Sequence, residues 1–528
     1  MRILIFHGYL LRGTGSNVYN AELAAALARA GHEVHLLCQE RAPLELDWID
    51  AAGDWDSGAL ELEVRRGPPR ATVYRPDLGG LLPVYVADRY DGVEARPYAE
   101  LSEEEVAGYV ARNVAAVREV AARARPDVAL ANHLVMGPLV LAHALAGTGV
   151  PYAVKIHGSA LEYTVKPHPR FRPAAIEGLA PARGVLVGSR HTAESLWTEM
   201  ADPALAAKTV LGPPGVDVDR FAPADPPAAA AGLAALAEAL AAAAPAAADT
   251  SGPAADTSGP AAAPEQAAPV SSFARSAGEA AAALAAVDPT RDRIVLFVGK
   301  LIASKGLELL LAAFPLVLAR VPDARLLIVG FGAFREPLEG LADALGRDDL
   351  AAARALRAED GRALPELAAF LDGLADPAAY ARAAAGMAER VRWAGRLEHA
   401  ELAGVMPAAD ALAMPSTFPE AFGMVAAEAA ACGALPVVAG HSGMAEVAHA
   451  LAAAVPSEVR PWLTFQVGPD AVHQLAAGLT GWLTAAAPLR AATREAIVGV
   501  ARERYSWDGV GRTVIAAAQG DLDGLPRP

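Results

Sequence analysis

Two pairs of charged side chains, Lys300 with Lys305 and Glu420 with Glu428, have the types and spacing to grip a ligand that is both phosphorylated and hydroxylated. The run GKLIASKGLELLL (299–311) follows an apolar stretch and opens a helical one, which puts Lys300 at a strand's carboxyl end and Lys305 at a helix start. Both ammonium groups can reach one anion there, and the unpaired N–H groups of a helix N-terminus suit phosphate. Of 45 basic residues only five are lysines, Lys155, Lys166, Lys208, Lys300 and Lys305. In a chain whose default cation is arginine, two lysines this close read as a site wanting a compact point charge, with a solvated surface pair as the plainer alternative.

The segment MPSTFPEAFGMVAAEAAACGALPVVAG (414–440) is richer. Its prolines and Gly423 mark a loop that leads into a helix of about 423–431, stopped at Cys432–Gly433. Glu420 precedes this helix, and Glu428 lies inside it, about 7.5 Å along the axis beyond Gly423. Free N–H groups around Phe422, Gly423, Met424 and Val425 face an anion, with the two glutamates flanking it as acceptors for hydroxyls. A phosphate between a sugar and a ribose needs such an arrangement. Glu428 sits in an alanine-valine helix, so it must be paired or hydrogen-bonded, which also permits a purely structural role.

Further residues fall at turns. Gly13-Thr14-Gly15 occupies a first strand-to-helix turn, where glycines let a backbone approach phosphate. It also resembles the opening of a dinucleotide site, but Val18 stands where the third glycine belongs. His157 ends a strand before Gly158 and Ser159, so its ring projects into a cleft; His133, at another strand end, faces the acceptor side or is structural. Ser189 and Arg190 suit a helix cap. Asp217-Val218-Asp219 matches a metal-binding D-x-D, yet it closes the first domain, and no metal is expected. Trp507, in RYSWDGV (504–510), anchors a terminal helix crossing back to the first domain.

The elements that hold these residues alternate between strand and helix. Strands are expected at 3–6, 33–38, 127–132, 152–157 and 184–189, with a helix from about Asn17 to Arg29 and a capped helix starting in LSEEE (101–105); the segment 40–125 is otherwise less regular. From 223 to 290 alanine and proline dominate, and ADTSGPA occurs twice in tandem (248–254 and 255–261), which reads as a low-complexity linker with an alanine-rich helix around 228–244. Alternation resumes with strand 293–299, helix 305–319, strand 325–330, a long helical stretch 333–390, and strands 391–395, 411–415 and 435–440. The fold class is therefore α/β, with two doubly wound Rossmann-like domains facing a cleft. Residues 1–222 form the first domain, 223–290 the linker and 291–504 the second domain, with 505–528 packing back on the first. Ligands sit at the carboxyl ends of strands in such sheets.

Composition narrows the partners. A net charge of −16 argues against nucleic acid or anionic membrane as the main partner. No window reads as a membrane span, leaving at most peripheral membrane contact. MRILIF (1–6) reads as a buried strand rather than a signal peptide. Cys38 and Cys432 stand far apart in apolar sequence, giving neither a disulfide framework nor metal spacing and fitting a cytoplasmic setting.

Glu-x7-Glu in PEAFGMVAAEAAACG, with GKLIASKG upstream, resembles the GT4 family of retaining glycosyltransferases, which have the GT-B fold. VYNAELAAALARAGHEV (18–34), KIHGSALEY (155–163), VGSRHTAES (187–195), PPGVDVDRF (213–221) and RWAGRLEHAELAGVMPAADALAMPS (392–416) fall in order and are similar too. The resemblance covers both domains apart from the linker and parts of 40–110 and 333–390. It implies that Glu428 binds a ribose, Glu420 holds a hydroxyl of the donor sugar and Lys305 holds the donor diphosphate. Lys300 stands where arginine is usual and lacks its bidentate fork. His157 hydrogen-bonds the donor sugar and helps stabilise charge, and Gly13 and Gly15 lie near the donor phosphate.

The implied reaction moves a sugar from a nucleotide-diphosphate sugar, as donor substrate and not a cofactor, to an acceptor hydroxyl of unspecified identity. Retention without metal and without an evident carboxylate nucleophile implies front-face displacement. Rival readings are a sugar-nucleotide epimerase on the same scaffold, a dinucleotide-dependent oxidoreductase and a non-catalytic sugar-nucleotide-binding protein.

Overall fold

The computed structural model describes residues 1–13, 15–85, 94–243 and 276–528. Thr14 and the tandem ADTSGPA repeat lie outside the described residues.

The first domain is built on a nine-stranded sheet. Its order runs Thr209–Leu211, Gly184–Val187, Tyr152–Ile156, Val128–Asn132, Arg2–Phe6, Glu33–Leu37, Ala71–Arg75, Ala51–Asp54 and Glu61–Val64. Only the last pairing, at the edge, is antiparallel. The apolar strands separate their side chains by parity, as the two-residue strand repeat demands. Leu4 and Phe6 join one buried layer with Val154, Ile156, Val185 and Val187, while Ile3 and Ile5 join the other with Ala153 and Leu186. Helix Glu103–Ala124 covers the first layer. Its start is the expected one: Ser102 and Glu105 form a reciprocal capping box. Helices Gly15–Arg29 and Trp507–Gln519 cover the second layer.

The second domain carries a six-stranded parallel sheet in the order Val391–Gly395, Ala324–Phe331, Arg293–Lys300, Ala411–Met414, Leu435–Ala439 and Thr464–Phe465. Both sheets place an early strand between partners from opposite directions, which opens a crevice at the carboxyl ends of Arg2–Phe6 and Arg293–Lys300. The doubly wound α/β architecture read from the sequence is the one observed.

Several expectations need correction. The 333–390 stretch is four short helices, Arg335–Gly346, Leu350–Ala355, Pro365–Asp372 and Pro377–Ala384. Asp349 and Asp376 cap new helices, and Pro365 and Pro377 begin them, so the continuous alanine pattern is interrupted by start signals. The irregular 40–125 segment supplies strands Ala51–Asp54, Glu61–Val64 and Ala71–Arg75. The ends of the 223–290 linker are ordered into the second domain: Leu233 and Leu240 of helix Pro226–Ala243 and Leu284 of helix Ala277–Ala285 are buried in its core. Helix Pro226–Ala243 has the length and apolar composition of a membrane span, although it includes Glu238 and buries one face against its neighbours.

The chain crosses between domains twice. Beside the first crossing, the Val216 N–H donates to the Tyr505 carbonyl at 2.6 Å, and Val216 forms a parallel bridge with Ser506. Trp507 then packs its buried ring against Tyr19, 5.5 Å between centroids, and over Gly215.

Candidate active site

A cavity of about 600 Å³ lies between the two sheets and is lined from both domains. On the second-domain side, strand Arg293–Lys300 ends at Lys300, and a turn of 3-10 helix, Ala303–Lys305, presents Lys305. Lys305 therefore precedes helix Leu307–Leu318 instead of starting it. Gly306 joins them at φ +66°, and a Cβ there would fall 2.0 Å from the Pro415 carbonyl oxygen, so this turn accepts only glycine.

Lys305 makes an ion pair with Glu420, whose same oxygen accepts from the Ser416 hydroxyl at 2.8 Å. The Glu420 N–H donates to Ser442 Oγ at 2.9 Å, which fixes the loop before helix Met424–Ala431. Phe422, Met424 and Val425 line the cavity, while Gly423 turns away to meet Met444 and Val447.

Glu428 is 2% exposed, and its partner is His399, whose Nε2 donates to Glu428 Oε1 at 2.8 Å. The opposite nitrogen of His399 lies 3.7 Å from Glu22 of the first domain, and Glu22 also pairs with Arg220. Burial alone would lower the His399 pKa, but Glu428 and Glu22 push it up to about 10, so the ring is an imidazolium at neutral pH. Arg396 reaches the cavity from the loop after strand Val391–Gly395, bonds Glu398 at 2.7 Å and stacks on Phe331. Lys300 approaches the same ring, 6.0 Å from its centroid.

The first-domain wall has a different chemistry. His157 follows strand Tyr152–Ile156 and its Nε2 donates to Asn132 Oδ1 at 2.8 Å, while the Asn132 amide donates to the Phe6 carbonyl at 3.2 Å. Burial, then neighbouring His133, Lys155 and His7, hold His157 well below the usual histidine range. Lys155 is buried beneath the wall, gives its ammonium to the Gly212 carbonyl at 2.5 Å and is lowered to about 7 by desolvation.

Behind the Gly13–Gly15 turn, His7 accepts from Asn20 at 3.0 Å and faces Asn17 at 3.0 Å through its other nitrogen. Burial lowers it to about 4. Gly13 stands at φ +95°, and Gly15 opens helix Gly15–Arg29 opposite Met424.

The walls touch. Gly158, at φ +94°, leaves 2.9 Å between a hypothetical Cβ and the Ala421 methyl. The Glu446 carboxylate of the second domain accepts from the backbone N–H groups of Arg190 and His191, at the first turn of a first-domain helix. At the mouth, Tyr163 stacks on Phe418, 5.8 Å between centroids.

The structure thus brings Gly13, Gly15, His157, Lys300, Lys305, Glu420, Phe422, Met424, Val425 and Glu428 to one cavity and leaves Gly423 behind it. Ser189 caps helix Arg190–Met200, accepting from Thr192 N at 3.2 Å. Asp217 spends its carboxylate on its own turn, accepting from the Asp219 and Arg220 N–H groups. Among the described residues there is no group of three potential metal ligands. Sequence reasoning missed Arg396 and His399, which line the cavity. RWAGRLEH sits in a quoted motif, but Arg396 and His399 meet Phe331, Glu428 and Glu22 only through the fold.

Comparison with known proteins gives a consistent neighbourhood. A family model described as a glycosyl transferase 4-like domain matches residues 14–207, and one described as glycosyl transferases group 1 matches 285–350 and 375–490. A D-inositol 3-phosphate glycosyltransferase of Segniliparus rotundus is 32% identical over 252 residues, 47% of this chain and 44% of that protein. The chain spans less than half the length of the curated relatives it matches. Among solved structures, a sucrose-phosphate synthase from Thermosynechococcus elongatus superposes with a TM-score of 0.58 at 18% identity, covering 99% of both chains. Anabaena HepE in complex with UDP and glucose gives 0.55 at 16% identity, covering 99% of this chain and 100% of that one. These similarities show the GT-B fold.

Proposed function

The chain belongs to the GT4-like, group 1 glycosyltransferases, and on that premise we propose that it transfers a glycosyl group from a nucleotide-diphosphate sugar to an acceptor hydroxyl, with retention and without a metal. The observation that carries this reading is the convergence of Lys300, Lys305, Arg396 and the start of helix Met424–Ala431 on one side of the cavity, with buried Glu428 beyond them. Three cations and unpaired N–H groups can stabilise a leaving diphosphate, which is electrostatic catalysis by preorganised charge. Glu428, held by His399, would accept hydroxyls of the ribose.

In the transfer, the acceptor oxygen bonds to the anomeric carbon as that carbon's bond to the phosphate oxygen breaks. The electron pair stays on the diphosphate, and the hydroxyl proton passes to it from the same face. Lys305 and Glu420 neutralise each other before the donor arrives; in the proposed complex Lys305 turns to phosphate and Glu420 to a sugar hydroxyl. His157 lies where it can hydrogen-bond the sugar. Both matched models are glycosyltransferase models, which does not favour the epimerase or oxidoreductase readings.

The test is a panel of nucleotide-sugars scored by thermal shift and by release of nucleotide. Stabilisation by a nucleotide-diphosphate sugar is expected, since a ligand bound to the native state raises its melting temperature by mass action. No shift with any of them would sink the assignment.

A further inference from the structure

His133 is one of four described histidines that line the cavity, and its ring is unpartnered among the described residues. It is 2% exposed, and neither ring nitrogen has a hydrogen-bond partner among the described residues. Leaving a buried polar group unpaired is costly, and such groups in native structures usually await a ligand or carry strain. Strain is present too: His133 sits at φ +69°, uncommon outside glycine, directly after strand Val128–Asn132.

Its surroundings are aromatic. The rings of Tyr85, His157, Tyr9 and His7 lie 4.7, 4.9, 5.3 and 5.6 Å away between centroids. The phenols of this group are already engaged, Tyr9 with the Pro83 carbonyl at 2.9 Å and Tyr85 with the Val135 carbonyl. What remains around His133 to meet a ligand is ring faces and the two nitrogens of its own imidazole.

Charge decides the class of ligand. Among the described residues that line the cavity from the first domain, the lysine and arginine complement is Lys155, whose ammonium is given to Gly212. Burial holds His7, His133 and His157 below the usual histidine range, so all three are uncharged at neutral pH. A phosphate or carboxylate placed against this wall would lose its water without gaining a cation from the wall's described residues, which is unfavourable. A neutral imidazole offers one donor and one acceptor, matching hydroxyls, and a tyrosine face packs against the C–H face of a ring.

We propose that the pocket formed by His133, Tyr9 and Tyr85 is the acceptor subsite and that it takes an uncharged, hydroxyl-bearing ring, such as a sugar or a glycoside, in preference to a phosphorylated one. This rests on the glycosyl-transfer reading above and adds the class of acceptor. His133 hydrogen-bonds a hydroxyl of the acceptor, and Tyr85 supports its ring.

The test uses the full chain with whichever nucleotide-sugar it hydrolyses, and compares methyl and phenyl glycosides with hexose phosphates as acceptors. A kcat/KM at least ten-fold higher for the uncharged compounds is expected. His133→Ala should raise the acceptor KM ten-fold or more while the donor KM shifts less than two-fold. Tyr85→Ala, which makes no demand on a strained backbone, should move the same constant in the same direction. A preference for hexose phosphates, or an acceptor KM unmoved in both variants, overturns the subsite while leaving donor turnover in place. Absence of donor turnover in the wild type overturns the glycosyl-transfer reading itself and the subsite with it.

Discussion

The second-domain wall of the cleft carries Lys300, Lys305, Arg396, Glu420 and Glu428, whereas the first-domain wall presents Tyr9, Tyr85, His133 and His157. Burial holds both of these histidines uncharged. The two walls face the same space with opposite chemistry. A charged wall suits a substrate whose leaving group gains negative charge, and an uncharged wall suits one that must lose water and present a hydroxyl. Under the proposed reading, the charged wall holds the donor's leaving group and the uncharged wall holds the acceptor.

The strongest way to break that contrast is to remove a charge from the second wall. Lys305→Ala is expected to lower kcat by roughly 10²–10³-fold, the usual loss for one preorganised donor at a developing anion, measured as nucleotide released with acceptor present. Full activity would leave Lys305 only a structural partner of Glu420. Glu428→Ala removes the nearer of the two carboxylates beside His399, leaving Glu22 alone, and should cost about 1–3 kcal/mol of stability, as losing a buried hydrogen-bond partner does, read by denaturant unfolding. On the uncharged wall, His157→Ala should lower kcat roughly 10²-fold and cost about 1–3 kcal/mol of stability, because it leaves the buried Asn132 amide oxygen without its partner.

Smaller effects test the seam and the turn. His399 stands at about 10 in the folded chain against an ordinary 6.5. Its pairing therefore stabilises the fold fully below pH 6.5, and that contribution is lost as pH rises through about 10. The melting-temperature advantage of wild type over His399→Gln should be largest near pH 6 and shrink toward pH 10; a difference independent of pH contradicts the charge assignment. Asp217→Ala should cost about 1 kcal/mol, like other lost caps, and a chelator should leave transfer by the wild type unaltered. Loss of activity on chelation would place a metal in the reaction.

The charged wall was legible in the sequence because its chemistry is local. Lys300 and Lys305 bracket one strand-to-helix connection, and Glu420 and Glu428 bracket the start of helix Met424–Ala431, so spacing alone brings each pair together. Arg396 and His399 escaped because their meaning depends on Phe331, Glu428 and Glu22, which reach them only through the fold. The uncharged wall was less legible still. Tyr9, Tyr85 and His133 come from three distant segments, and aromatic residues in apolar surroundings read as core.

Sheet strands such as Arg2–Phe6 declared themselves by apolar runs, since both faces are covered. Glu61–Val64 did not, because it is an exposed edge strand with alternating charge. The alanine-rich stretches misled in both directions. Alanine favours helix everywhere, so the breaks at Asp349 and Asp376 and the buried leucines of Pro226–Ala243 were outweighed by composition.

The paired crossings at Val216 and Ser506 have a mechanical meaning. Two covalent connections joined side by side by the bond from Val216 to Tyr505 act as an axle: the domains can swing about that line, while sliding or twisting past one another would stretch one connection against the other. Travel then grows with distance from the axle. A swing about that line would leave Trp507 packed over Gly215 and would separate the stacked rings of Tyr163 and Phe418.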